Sequence, residues 1–598
     1  MRLLGLKVLF VIVVALAVFS LAGSITTHQN GSVSAAATTG SACSSDDSGL
    51  KLPAGFCATV FADGIGHARQ MVVAGNGVVY VNTWSGSYYP PTQPPPDGGF
   101  LVALEDKAGS GKASVIERFG ETERTGGHGG VGIALYNGSL YAESNDSIVR
   151  YSLPAGAIVP QGPSVTVVSG LPLGGDHPMH PFYISSDGLL YVDVGTASNA
   201  CQSKNRIAGS PGDNPCTELE TRGGIWRFDA NKTDQKFSPA ERYATGIRNA
   251  EGFAVDPVHH RVYVTQHGRD QLHANWPALY KSEQEATLPS EEVLLLKQGG
   301  DYGWPNCYYD PNQSKLVLGP EYGGDGGHKV GVCATKSGPT AAFPAHWAPN
   351  AMTFYNEKQF PTNYRGGLFI AFHGSWDRAP YAQGGYNIVY QGLTPTGAAG
   401  RCEIFADGFA GGATSPGDAQ HRPAGVAVGQ DGALYVSDDV RGRIYKITYN
   451  GGAQGASPKA AYRACPSPAA PAGAVMQAQA KPSEGTQPDA GDSALPVPPG
   501  ATPAMVTLGD RIFHGQAAGG TCTACHGTNG AGTPLGPDLT KKKWLWSDGS
   551  LSGITKTVTD GVMQPKQYRS PMPPNGGAQL TPAQSKAVAA YVWSLSHR

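Results

Sequence analysis

The chain has 598 residues, 40% of them apolar and only 15% charged, with a formal net charge of −2. That length exceeds one ordinary core, so two or more domains are expected. The balanced charge, with Lys541-Lys542-Lys543 as the basic run, excludes a nucleic-acid binder and a disordered polyelectrolyte, while 82 Gly, 46 Pro and 26 Tyr point to many short strands joined by turns.

In chain order, Arg2 and Lys7 precede the apolar run from Val8 to Ala22, and small residues follow. This is the layout of a secretory signal. The run is short for a bilayer span, and an uncleaved anchor is the alternative. Residues 1–38 are therefore assigned to a signal peptide or N-terminal anchor with a small-residue spacer. The expected location is periplasmic or secreted. The chain has ten cysteines, and two sit in the motif Cys522-Thr523-Ala524-Cys525-His526. Eight others in an exported chain read as disulfides. Proximity suggests Cys43–Cys57, Cys201–Cys216, Cys307–Cys333 and Cys402–Cys465, with free thiols as the alternative.

Residues 39–465 carry an internal repeat. Six times a turn leads into a short β-rich run: Asn76 to Val81, Asn137 to Ala142, Asp187 to Val192, His259 to Val264, Gly366 to Ala371 and Asp431 to Val436. Most copies are followed by a second strand-like run, such as Ser147 to Leu153 or Arg443 to Tyr449. One small antiparallel sheet cannot bury both faces, whereas radial stacking buries each against its neighbours. Six copies predict an all-β six-bladed propeller from about Leu50 to Asn450; an unrelated β-sandwich is the competing fold.

Residues 466–501 are rich in Pro, Ala, Gly, Ser and Gln and read as an extended linker. Residues 502–598 read as a small all-α domain. Met505, Leu508, Ile512 and Phe513 have helical spacing. A terminal helix follows Leu580, with Thr581 as cap, Pro582 in its first turn, Gln584 completing a capping box, and Val588, Tyr591, Val592 and Leu595 as its apolar stripe.

The Cys-x-x-Cys-His motif attaches one covalent haem c. The thiols of Cys522 and Cys525 add to the two vinyl groups, and His526 is an axial iron ligand. No second ligand pair follows to suit a zinc site. The preceding helix, Gly536 to Leu539 and the terminal helix resemble class I cytochromes c. In that resemblance the sixth ligand is Met572, within Ser570-Pro571-Met572-Pro573-Pro574; Met563 is the rival.

A cytochrome needs an electron source, so the propeller is read as a dehydrogenase. Gly127 to Gly132 matches G-x-G-x-x-G, but it leads into a strand and opens no helix, which excludes a dinucleotide site. Polar residues recur in loops beside the repeat strands: Asp176-His177-Pro178, Arg248 to Gly252, Gln266 to Asp270, Gly300 to Asn306, His373 to Arg378 and His421-Arg422-Pro423. Such loops converge on a propeller axis. Three arginines there suit a cofactor with several carboxylates. Structural readings stand beside these: His177 as a loop residue, Arg248 as a bridge between blades, His267, His346 and His373 as supports or core histidines, and Trp304 and Trp376 as packing.

These segments resemble the quinoprotein sugar dehydrogenases, a six-bladed propeller family that uses pyrroloquinoline quinone (PQQ) and calcium. The similarity is greatest to the sorbosone dehydrogenase branch, at His373 to Arg378 and Arg422 to Asp439, and extends to fungal pyranose dehydrogenases. The resemblance implies His177 as general base with Asp176 beside it. It implies His128 near substrate and cofactor, Arg248 and Asn249 on the quinone oxygens, and Arg378 and Arg422 as further PQQ contacts. The backbone carbonyls of Gly268 and Arg269 would hold calcium. His128 stands where soluble glucose dehydrogenases have Gln, and Arg378 where they have Lys. The implied activity is oxidation of a sugar or sugar aldehyde, with electrons passing to haem c and then to a periplasmic cytochrome or terminal oxidase. A lactonase-like hydrolase, or a non-catalytic docking propeller, fused to a cytochrome c is the alternative.

Overall fold

The structure, a computed structural model, describes residues 47–83, 97–120, 130–378, 381–412, 414, 419–451, 463–473, 495–514, 522–526, 530–532, 536–562, 564–568, 572–578 and 580–597. The signal or anchor segment, Cys43, His128 and Met563 lie outside the described residues. No helix among the described residues is long and apolar enough to cross a membrane.

Six sheets, each built on four antiparallel strands, form a closed six-bladed β-propeller. The first blade is Ala68–Val73, Val79–Thr83, Leu101–Glu105 and Val115–Phe119. The second is Ile133–Tyr136, Ser139–Ser144, Ser147–Ser152 and Val165–Ser169, with Gln235–Lys236 added in parallel at its edge. The third is Phe182–Ile184, Leu189–Val194, Gly224–Asp229 and Arg242–Thr245. The fourth is Phe253–Asp256, Arg261–Gln266, Glu291–Leu295 and Ala341–Phe343. The fifth is Pro349–Tyr355, Gly367–Phe372, Asn387–Leu393 and Ala399–Ala406. The sixth combines Pro423–Val428, Leu434–Asp438 and Arg443–Tyr449 with Phe56–Ala62 from the other end of the domain. That last pairing, Cys57 opposite Thr448 and Thr59 opposite Lys446, fastens the ring. The innermost strands neighbour one another all the way round.

All six repeat copies become the second strand of a blade. Their residues alternate between two interblade cores, as a strand's period of two requires. Val79 and Val81 pack with the sixth blade, and Tyr80 with the second. Leu140 faces the first blade and Tyr141 the third. Leu190 joins the second and Tyr191 the fourth. Val264 meets the third and Tyr263 the fifth. Leu368 meets the fourth and Phe369 the sixth. Leu434 then faces the fifth and Tyr435 the first, closing the circle. Truncating a fully buried aromatic such as Phe369 in such a core costs about 3–5 kcal/mol.

Three expected disulfides are present: Cys201–Cys216, Cys307–Cys333 and Cys402–Cys465. Cys57 is also disulfide-bonded. The first two clip long insertions in the third and fourth blades. The last ties the segment after the propeller to the outer strand of the fifth blade.

The C-terminal domain is a helical cytochrome c fold with helices Pro503–Phe513, Cys522–His526, Leu551–Asp560 and Pro582–Leu595. Thr502 caps the first through Met505 N at 3.2 Å. The terminal helix has the expected capping box, with Thr581 N donating to Gln584 Oε1 and Gln584 N to Thr581 Oγ1. The first and last helices cross at Gly509, where a Cβ would lie 1.9 Å from the Ala587 carbonyl oxygen, so the close approach requires glycine. Val588, Tyr591, Val592 and Leu595 are buried in the resulting core.

Candidate functional site

A cavity of about 420 Å³ lies where the propeller loops meet the cytochrome domain. Its propeller wall includes Asp176, His177, Arg206, Arg248, Asp270 and Trp376. Its cytochrome wall includes Cys522, Cys525, His526, Pro537, Met572 and Val592.

His177 sits in the loop entering the third blade. Its Nδ1 lies 3.0 Å from both the Thr196 carbonyl oxygen and Thr196 Oγ1. The Thr196 hydroxyl donates to Ser198 O at 2.7 Å, so its oxygen is left to accept. Nδ1 therefore carries the proton, and Nε2 keeps its lone pair. Burial, then the charges of Arg248, Arg206 and His267, hold the imidazole well below its ordinary pKa. It is neutral near pH 7, as a base requires. Gly195 permits this packing, since a Cβ there would come 2.6 Å from His177 Cβ.

Asp176 lines the cavity, and its carboxylate is paired with Arg206 rather than with His177. Its Oδ2 accepts from Arg206 Nε at 2.9 Å, and Asn205 Nδ2 lies 3.3 Å from Oδ1. Thr196 is the orienting residue. Arg206 itself went unrecognised in the sequence, because it lies in the 195–223 insertion far from every repeat strand. It bonds Asp176, Asp270 Oδ2 at 3.1 Å and Gln271 Oε1 at 3.0 Å, and its guanidinium stands 5.9 Å from the centre of the Trp376 ring.

Arg248 reaches the cavity as expected. It donates to Asp270 Oδ2 at 2.9 Å, to Asn199 O at 3.1 Å and Oδ1 at 2.9 Å, and to Gly268 O at 2.8 Å. Burial opposes ionisation of Asp270, but Arg248, a hydrogen bond from His346 and Arg206 outweigh it and hold the carboxyl well below its usual range. His346 Nδ1 lies 3.6 Å from Asp270 Oδ1. Burial works against the imidazolium, yet Asp270 and Asp377 raise it to about 9. Burial and Glu285 push Asp377 well above the carboxylate range. Ligand atoms of Asp270, His346 and Asp377 lie within 4.8 Å of one another, all in buried residues. His346 and Asp377 come from different blade connections, so no sequence spacing marks them as one cluster.

The remaining expected residues are placed as follows. Asn249 is buried beside the site, with Nδ2 3.4 Å from Glu251 Oε1 and Oδ1 unpartnered. The Gly268 carbonyl, expected to face calcium, accepts one hydrogen bond from Arg248 Nη1 at 2.8 Å. Arg269 turns its side chain to buried Glu321. Arg378 does not reach the cavity: its guanidinium caps the carbonyls of Ala286, Ala345 and Ala382. Arg422 is likewise engaged with His373 O at 3.0 Å and Gly374 O at 2.9 Å. In both, backbone carbonyls accept from two of the three guanidinium nitrogens, Nε and Nη1 of Arg378 and Nε and Nη2 of Arg422.

On the cytochrome wall, Cys522 and Cys525 lie one turn apart on one helix. His526 Nδ1 is 3.0 Å from Pro537 O, which leaves Nε2 directed elsewhere. Gly536 lets that strap approach, for a Cβ there would lie 2.7 Å from Cys525 O. Met572 is anchored by a two-way backbone bridge to Val562 and lines the same crevice, with Ile554, Val558, Val588 and Val592 as apolar walls. The donor set and the apolar lining fit a thioether-bound haem with His and Met ligands.

Comparison with known proteins gives two family matches. The model described as TrAA12-like covers residues 50–450, and the cytochrome c model covers residues 506–596. An uncharacterised protein of Borreliella burgdorferi is 29% identical over 36% of this chain, which spans half of that relative's length. A pyrroloquinoline quinone-dependent sugar dehydrogenase of Hypocrea jecorina is 23% identical over 53% of this chain and 73% of its own. A cbb3-type cytochrome c oxidase subunit FixP of Rhizobium etli is 39% identical over 13% of this chain and 27% of its own. The calcium structure of the Trichoderma reesei Carbohydrate-Active Enzymes Family AA12 protein superposes with a TM-score of 0.53 and 18% identity, covering 69% of this chain and 99% of that one. With a matching model over most of its length and the same fold, the chain belongs to the TrAA12-like family and carries a C-terminal cytochrome c domain.

Proposed function

We propose that this protein is an exported quinohaemoprotein that oxidises a sugar or sugar aldehyde, of the aldose or sorbosone type, and delivers the electrons through its own haem. The observation that carries this reading is the shared cavity, which has a neutral, oriented His177 on one wall and the Cys522–Cys525–His526–Met572 set on the other.

PQQ, when bound, supplies a quinone that accepts a hydride together with carboxylates for anchoring. The residues present suit it. Arg206 and Arg248 line the cavity and would hold carboxylates, with Asp176, Asp270 and His346 balancing their charge until then. Trp376 offers a flat face. His177 Nε2 would take the hydroxyl proton of the sugar, and Thr196 keeps the imidazole aimed. Haem c, when bound, supplies a one-electron iron couple whose His/Met ligation favours a high potential. Calcium enters the proposal as a component of reconstitution, with the carbonyls of Gly268 and Arg269 as its expected donors. Disulfides, haem attachment and the signal-like N-terminus together support export, with a periplasmic cytochrome or oxidase as the downstream acceptor. The hydrolase alternative needs an open metal site, and its best ligand, Asp270, is already held by two guanidinium groups.

The test is reconstitution of the full chain with PQQ, with and without Ca²⁺, followed by a panel of aldoses, ketoaldoses and sorbosone. Reduction of the haem band by at least one sugar is expected. A flat haem spectrum across the whole panel would sink the proposal.

A further inference from the structure

The 195–223 insertion does more than connect two strands. The Cys201–Cys216 disulfide closes it, and Glu218 bonds back to the backbone nitrogens of Ala197 and Ser198. Cys201 and Arg206 both adopt left-handed backbone, with φ of 48° and 59°, a costly choice for non-glycine residues. Gln202 Oε1 takes the Arg206 backbone N–H at 2.8 Å. The side chain of Arg206 is only 10% exposed, and two carboxylates, a glutamine and the Trp376 face fix it in place. The whole loop is thus arranged around the position of one guanidinium. That guanidinium lines the same cavity as Cys522, Cys525 and His526, the residues that would carry the haem. Among the described residues no ion pair or hydrogen bond joins the propeller to the cytochrome domain.

We propose that Arg206 is a positioning residue that couples the two halves: the clipped loop holds its charge between the propeller mouth and the thioether edge of the haem, where it raises the haem potential. A cation beside the haem favours the reduced iron, which carries one positive charge less. One unit charge acting over about 10 Å at an effective dielectric constant of about 20 changes an equilibrium by about tenfold. The same guanidinium is shared with Asp176 and Asp270, so an anionic ligand entering the propeller mouth would draw on it, and the haem would sense that arrival.

The inference rests on the reading that the C-terminal crevice holds haem, but its test needs no PQQ. In full-length protein carrying haem and no PQQ, the haem is titrated by spectroelectrochemistry. Arg206→Gln is expected to lower the reduced-to-oxidised ratio about tenfold at a fixed potential. Arg206→Lys, which keeps the charge, is expected to stay near wild type. If Arg206→Gln does not fold, the Cys201→Ser/Cys216→Ser pair, which frees the loop without touching the charge, is expected to lower the ratio in the same direction. A wild-type potential in folded Arg206→Gln, or in the loop variant used in its place, overturns the proposal. Failure of sugar oxidation would leave this result standing, and a flat potential would leave sugar oxidation standing.

Discussion

The propeller mouth and the haem crevice hold their functional groups in opposite ways. The mouth draws Asp176, Arg206, Arg248, Asp270 and His346 from separate blade connections and fixes them by mutual charge pairing. The crevice draws Cys522, Cys525 and His526 from one helical turn and surrounds them with Ile554, Val588 and Val592. Removing a member of the first set leaves a buried charge behind, so function and stability fall together. Removing a member of the second deletes chemistry and leaves a packed core intact.

The largest effect is expected on the crevice side. Replacing Cys522 and Cys525 by Ala should abolish covalent haem, read as loss of haem staining after denaturing electrophoresis, while sugar-dependent reduction of an artificial dye survives. Haem that stays attached would break the motif reading. On the propeller side, His177→Ala should cost about 10²–10⁴ in the rate of sugar oxidation with the haem spectrum unchanged. Because burial holds His177 neutral, the acid limb of the wild-type pH–rate profile should lie well below pH 6.5. A limb at or above that value would assign the base elsewhere.

Met572→Ala tests the distal side of the crevice. Loss of a thioether ligand should change the haem spectrum and lower its potential. An unchanged spectrum would transfer the ligand role to Met563.

Arg378 separates the two modes of construction within the propeller itself. Its donors cap three carbonyls, so Arg378→Ala should lower unfolding stability by about 2–4 kcal/mol while leaving PQQ affinity near wild type. Weakened PQQ binding with unchanged stability would restore the cofactor role that its sequence position suggests.

The same contrast explains what could be seen in the sequence. Six repeats gave the propeller away because each second strand is buried on both faces and must alternate between two cores, as Tyr80 and Val81 do. The haem motif was legible because its chemistry depends on contiguous residues. His177 and Arg248 stood out by lying beside repeat strands. Arg206 and the partnership of Asp270, His346 and Asp377 did not, since tertiary closure alone brings them together. The partners of Asp176 and Arg378 are not legible in the sequence for a related reason. A charged side chain at a loop end is drawn to whichever partner is nearest in space, Arg206 for the one and three carbonyls for the other, and chain position does not reveal that partner.

The smallest expected effect lies in the buried ion cluster itself. His346 has its folded pKa raised to about 9, above the 6.5 of an unhindered imidazole. Its contribution to stability is therefore fully present below about pH 6.5 and is lost as pH rises through about 9. The groups that face it are Asp270, Asp377, Glu285 and Glu291, and loss of the imidazolium leaves their charge less well balanced. Thermal unfolding of the propeller should fall by a few degrees between pH 6.5 and 9.5. His346→Gln should flatten that limb without moving the haem transition, because the crevice holds its His526 by a backbone carbonyl rather than by charge. An equal pH dependence in the variant would show that the mouth is not held together by the pairing its geometry displays.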